Sequence, residues 1–215
     1  MGCDIHLFVE SRDLVDTHWF NRDKWTYDPY DDEHTRLRVD YKDAFYSGRN
    51  YSLFSVLAGA RNYDDVQPID APRGLPADVT APVKAESDMW GIDGHSHSWF
   101  TLHELQNFDW DGHVIQKTRW VGLEEYRRCK AENRAPESYC GDTFGRSVRK
   151  YTEAHYLEEV KYGFVPNPDL SYYIQYTWSQ SYRAEIGREW WECLEKMAKL
   201  HKDPTKVRTV FWFDN

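Results

Sequence analysis

Two alternating segments at opposite ends of the sequence constrain the fold most. Residues 4–10, Asp-Ile-His-Leu-Phe-Val-Glu, place Ile5, Leu7 and Val9 on one side and His6, Phe8 and Glu10 on the other. A period of two is a strand signal. At the other end, Val207 to Phe213 is a second strand, dense in aromatics and followed by Asp214-Asn215. A chain with strands at both ends folds most simply as an α+β domain whose N- and C-terminal strands share one mixed sheet, with helices packed on it. The expected organisation is one domain over residues 1–215, with a polar, acidic excursion at about 11–48.

Between these strands the helix signals are local. Asn50 is a credible N-cap for a helix to Arg61, with Tyr51, Phe54, Leu57 and Ala58 on one stripe. Four prolines (68, 72, 76 and 82) exclude a helix or central strand from 62–82. Residues 91–98 read as a loop, and Thr101 with Glu104 forms a capping box for a helix over about 102–108. A strand is expected over 114–121, then helices over 123–133 and 151–162. A strand over 170–178, a helix over 184–201 and the strand over 207–213 read together as a βαβ crossover.

Composition excludes several function classes. With 27 Lys and Arg against 36 Asp and Glu, the net charge is −9, which argues against a general duplex-DNA binder. Aromatics at 16% argue against disorder. No run approaches the roughly 18 apolar residues of a transmembrane helix. Residues 1–6 have neither the basic nor the apolar region of a signal peptide, and His6 stands where a myristoylation signal has Ser or Thr. The four cysteines lack metal-site spacing, so reduced thiols in a cytoplasm are expected, with Cys3 a buried structural residue rather than a reactive one.

Three constellations carry candidate chemistry. In Asp93-Gly94-His95-Ser96-His97-Ser98 the two histidines stand two apart, so on a strand they share a face and converge on one phosphate, or on one divalent metal together with Asp93. The alternative is a pair of hydrogen-bonded structural histidines. Asp4 and His6 form a strand-tip D-x-H, but Phe8 replaces the further histidine of a two-metal centre. Arg49-Asn50-Tyr51 and Arg61-Asn62-Tyr63 bracket one helix, and Arg73 follows. Arginines beside a helix terminus suit an anion, and Asn, Tyr, Ser98 and Trp99 suit a base. Dipole complementation and ordinary ion pairs are the competing explanation.

Several of these stretches resemble a group of uncharacterised bacteriophage proteins. The resemblance rests on Met1-Gly-Cys-Asp-Ile-His6, Arg49 to Phe54, Ala58 to Asn62, Pro72 to Pro76, Asp93 to Trp99 and Phe211 to Asn215. It implies a phage accessory protein working in the host bacterial cytoplasm, and no particular reaction. Two functions follow as expectations. The first is a phosphodiesterase cleaving a small, cyclic nucleotide such as a host defence signal, with His95, His97, His6 and Asp4 catalytic. In that reading Arg49, Asn50, Tyr51, Arg61, Asn62, Arg73, Ser98 and Trp99 hold substrate. The second is a protein that binds the same nucleotide without cleaving it. An inhibitor docking a basic host protein through the acidic 11–48 region is a third reading, and a homo-oligomer is compatible with each. Catalysis requires His6, His95 and His97 to meet within about 6 Å in one pocket with the arginines.

Overall fold

The computed structural model describes residues 2–13, 18–33 and 35–215. Met1 of the opening motif, and residues 14–17 and 34 of the acidic excursion, lie outside the described residues.

In chain order the elements are β1 (Ile5–Ser11), β2 (Phe20–Asn21), β3 (Trp25–Tyr27), β4 (Leu37–Val39), α1 (Tyr51–Ala58), α2 (Ala81–Trp90), β5 (His95–Thr101) and α3 (Leu102–Asn107). These are followed by β6 (Val114–Gly122), α4 (Leu123–Glu132), β7 (Val148–Thr152), α5 (Glu153–Lys161), β8 (Ser171–Ser181), α6 (Tyr182–Glu185), α7 (Arg188–Ala198) and β9 (Val207–Phe213). The α+β class expected from the sequence is what is observed. The chain divides into two compact units, one built from the residues up to Asp111 with Tyr182–Asn215, the other from Gly112–Ser181.

In the first unit the two outer strands of the sequence pair directly, as expected, in a sheet of order β2-β1-β9-β5. That sheet is antiparallel throughout rather than mixed. Every residue of β9 is buried, so it suits a central position covered on both faces. On one face Phe213 packs on Phe54 of α1, ring centroids 4.9 Å apart. On the other, Phe8, Val210 and Trp212 pack with Val83 of α2. The second unit has the mixed sheet, of order β6-β8-β7, over a core of Val121, Leu123, Tyr126, Tyr156, Ile174 and Trp178.

The expected C-terminal βαβ crossover does not form, because β8 and β9 belong to different sheets. The parallel crossover lies earlier, as β7-α5-β8. Its first strand reads Val-Arg-Lys-Tyr-Thr, too polar to signal a strand by alternation. The helix expected over 184–201 is interrupted around Gly187 and forms α6 and α7. Within the acidic excursion β3 pairs with β4.

Local signals hold closely where the chemistry is local. Asn50 caps α1 by accepting from Leu53 N–H at 3.0 Å, and Gly59 ends it with φ +69°, which an L side chain adopts only at a cost. Thr101 and Glu104 form the reciprocal capping box of α3. Four cysteines are free: Cys3, Cys129 and Cys193 are buried and Cys140 is half-buried.

Asp23 is a buried carboxyl in the first unit, accepting from Val9 N–H at 2.8 Å. Burial pushes its pKa up to about 7, against backbone and Asn21 hydrogen bonds that pull it down. The folded value lies above the unfolded one, near 4. The folded state therefore holds its proton more tightly, and the resulting stability is complete below pH 4 and lost as pH rises through 7. At about 1.4 kcal/mol per unit, urea unfolding should show roughly 2–4 kcal/mol less stability at pH 8.5 than at pH 4 from this group. In Asp23→Asn that loss should vanish, and parallel pH profiles for the two proteins would refute the assignment.

Candidate functional site

The start of β1 and the end of β9 are adjacent, with Ile5 opposite Phe213 and His6 opposite Trp212. This register brings Asp214 onto two groups from the far end of the sequence. One carboxylate oxygen accepts from Asp4 N–H at 2.8 Å, and the other lies 3.1 Å from His6 Nε2. The His6 ring stacks on Trp212 at 5.6 Å and meets Trp90 at 4.2 Å. Its position is thus fixed by a carboxylate and two indoles. Asp4 takes a two-point contact from Arg49, with Nε at 2.6 Å, and that guanidinium holds the Asp4 carboxyl below the usual range.

His6 and Arg49 open onto a cavity of about 460 Å³ lined also by Asp4, Tyr41, Tyr46 and Ser47. That volume falls in the range of small-molecule sites. The Tyr46 phenol is raised well above its ordinary pKa, mainly by burial, and stays a neutral donor. Sequence reasoning missed Asp214, Trp90, Trp212, Tyr41, Tyr46 and Ser47. Only the terminal Phe-Asp-Asn offered a signal for Asp214, as a short acidic tail to a strand otherwise fully buried.

The histidine motif does not join this site. Residues 95–98 belong to a strand rather than a loop, and the strand carries a bulge: His95 pairs with Phe213 and Ser98 with Phe211. Two residues, Ser96 and His97, therefore oppose Trp212 alone, with Ser96 at φ +53°. The extra residue breaks the shared-face rule. His97 stacks on Trp212 at 5.5 Å, whereas His95 lies against Phe213 at 6.1 Å. Consecutive residues of a strand point to opposite faces, so the two imidazoles are divided between them. A Cβ at Gly94 would lie 3.0 Å from Trp90 Cβ, tighter than ordinary packing.

His97 Nε2 pairs with Ser87 Oγ at 2.9 Å, and burial lowers its pKa, so the ring is neutral at pH 7. β9 separates His6 from His97, and two strand spacings put their backbones about 10 Å apart. The expected meeting of His6, His95 and His97 in one pocket is thus corrected. Asp93 is exposed in the turn before β5, and among the described residues no three His, Cys, Asp or Glu side chains are gathered to hold a metal ion. Asp93, His95 and His97 therefore do not form the expected metal set.

Matches with known proteins add nothing to this geometry: no family model matches the chain, and neither does any curated protein or solved structure.

The remaining binding candidates serve the fold. Asn50 is the N-cap of α1, and Asn62 closes its loop by bonding both backbone groups of Val66. Tyr51 accepts from Cys3 N–H at 3.2 Å. Arg61 holds the backbone carbonyl of Gly2 at 3.1 Å and Asn215 Oδ1 at 2.8 Å. Burial pushes the Cys3 thiol up, as suits a structural cysteine. Ser98 is buried and accepts from Arg73 N–H at 3.3 Å. Arg73 and Trp99 belong to a ladder of guanidinium and indole planes, in which Arg73 lies 5.2 Å from Trp99 and Arg208 lies 4.0 Å from Trp19 and 5.9 Å from Trp99. Asp70 and Glu104 neutralise Arg73. Arg49 alone of the three arginines lines the His6 cavity.

Proposed function

We propose that the cavity beside β1 binds a small nucleotide, and that the chain acts as a sequestering protein, a phage accessory factor that withholds a host signal such as a cyclic nucleotide. The observation that carries this reading is the placement of His6, oriented by Asp214, and Arg49 on one cavity of about 460 Å³ with two tyrosines. Arg49 and Asp4 are both about half exposed, so an anionic ligand group can take the guanidinium from the carboxylate. Sequestration is better supported than cleavage because His6 is the only imidazole lining the cavity among the described residues. Phosphodiester cleavage without a metal calls for both a base and an acid; Arg49 holds the Asp4 carboxyl ionised, burial raises the Tyr46 phenol far above neutrality, and His97 does not line the cavity.

A hydrolytic reading is favoured by one feature, the Asp214–His6 pair, in which a carboxylate orients an imidazole as it does for a general base. Calorimetry with cyclic mono- and dinucleotides in EDTA, followed by chromatography of the ligand, separates the two. Sequestration predicts saturable binding, recovery of intact nucleotide, and at least tenfold weaker binding in His6→Ala and Arg49→Ala. Turnover that disappears in His6→Ala would establish hydrolysis instead. Binding unchanged in both variants would remove the site from this cavity.

A further inference from the structure

The cavity wall includes a short length of open sheet edge. Alternate residues of β1 direct their N–H and C=O away from β9, and the partners at each end identify which. Val9 C=O accepts from Arg22 N–H at 2.8 Å, and Val9 N–H donates to Asp23 at 2.8 Å. Cys3 N–H donates to Tyr51 on the same alternation. Asp4, in contrast, faces β9 and bonds Asp214. Ile5 and Leu7 therefore point their backbone groups toward the uncovered side. β2 pairs only with Glu10 and Ser11, and no hydrogen bond from another segment or side chain reaches this edge at Ile5 or Leu7 among the described residues. Both residues are buried, and both line the His6 cavity.

Buried backbone donors and acceptors need partners. Water meets that need until a ligand with matching groups displaces it. We infer that the Ile5–Leu7 edge reads the planar donor–acceptor edge of a nucleobase, while Arg49 takes the phosphate. This rests on the nucleotide reading of the cavity. The open edge explains why a base fits better than an added peptide strand. It is closed at Val9 by Arg22 and Asp23 and at Cys3 by Tyr51, leaving two residues, about 7 Å of strand. Strand addition needs a longer run of alternate residues, whereas one N–H beside one C=O matches the adjacent acceptor and donor of a base. The tyrosines at 41 and 46 line the same space and supply aromatic surface for the base plane.

The test titrates the ¹⁵N-labelled full chain with the four 5′-mononucleotides, with ribose 5-phosphate, and with the tightest mononucleotide methylated at its ring-nitrogen hydrogen-bonding position. Expected are shifts of the Ile5 and Leu7 amide signals with the mononucleotide, affinity at least tenfold above ribose 5-phosphate, and a tenfold or greater loss on methylation. Equal binding of mononucleotide and ribose 5-phosphate, with both amides unmoved, would overturn base reading while leaving the phosphate site standing. Binding by the methylated base as tight as by its parent would also overturn it. Absence of binding by every probe would overturn base reading, and absence of binding by the cyclic mono- and dinucleotides too would overturn the nucleotide reading.

Discussion

Replacing Arg208 by Ala should cost about 3–5 kcal/mol of stability, among the largest losses available in this chain. Arg208 on β9 and Glu10 on β1 are almost wholly buried and joined at 2.7 Å. The same guanidinium bonds the side chain of Asp78 at 2.7 Å and its backbone carbonyl at 3.0 Å. The second Glu10 oxygen accepts from the N–H and hydroxyl of Thr80, at 2.9 and 2.7 Å, just before α2. Two strands and the entry to α2 thus converge on one ion pair. Removing the cation alone leaves a buried carboxylate without its charge partner. Pairing Arg208→Met with Glu10→Gln removes both charges and keeps the Thr80 acceptor, so the double variant should lose clearly less than Arg208→Ala. Urea unfolding of the three proteins reads this directly. A loss below about 1 kcal/mol for Arg208→Ala would show that the pair is not a fastening point.

Trp212→Ala is the second large effect, again about 3–5 kcal/mol, the usual cost of emptying a large aromatic site. Trp212 is fully buried and touches His6, His97 and Phe8 through ring contacts. Its indole N–H has no hydrogen-bond partner among the described residues. Trp212→Phe keeps most of the stacking and loses no hydrogen bond, so it should cost only about 1–2 kcal/mol. Ligand affinity should follow the same order, because the indole holds His6 toward the cavity. Thermal unfolding together with nucleotide binding checks both halves. A Phe variant as unstable as the Ala variant would contradict the packing role assigned to the ring.

What could be read from the sequence divides along the range of the interactions. Asn50 and the Thr101–Glu104 box act on backbone within three residues, so their positions stand in the sequence as they do in the fold. β1 and β9 alternate or run aromatic over seven residues each, which suffices to identify them. α2 escaped because Pro82 lies in its first turn, where proline is tolerated, and a proline-rich stretch leads into it. Period-two reasoning puts the histidine motif on a single face because it assumes a regular strand. One residue at positive φ, Ser96, shifts the register, and nothing in Gly-His-Ser-His states that in advance. Asp214 and His6 are 208 positions apart, and only the pairing of β1 with β9 makes them partners. The site was half legible for that reason: Asp4, His6 and Arg49 carry motif-like neighbours, while the carboxylate that orients the histidine comes from the fold.

We propose His6, not the His95–His97 motif, as the imidazole that meets the ligand. The most direct test follows the ring proton signals of His6, His95 and His97 during a nucleotide titration of the full chain. His6 should shift saturably, with His95 and His97 nearly unmoved, because neither lines the cavity and β9 lies between β5, which carries them, and β1. Saturable shifts at His97 or His95, with His6 unchanged, would contradict it.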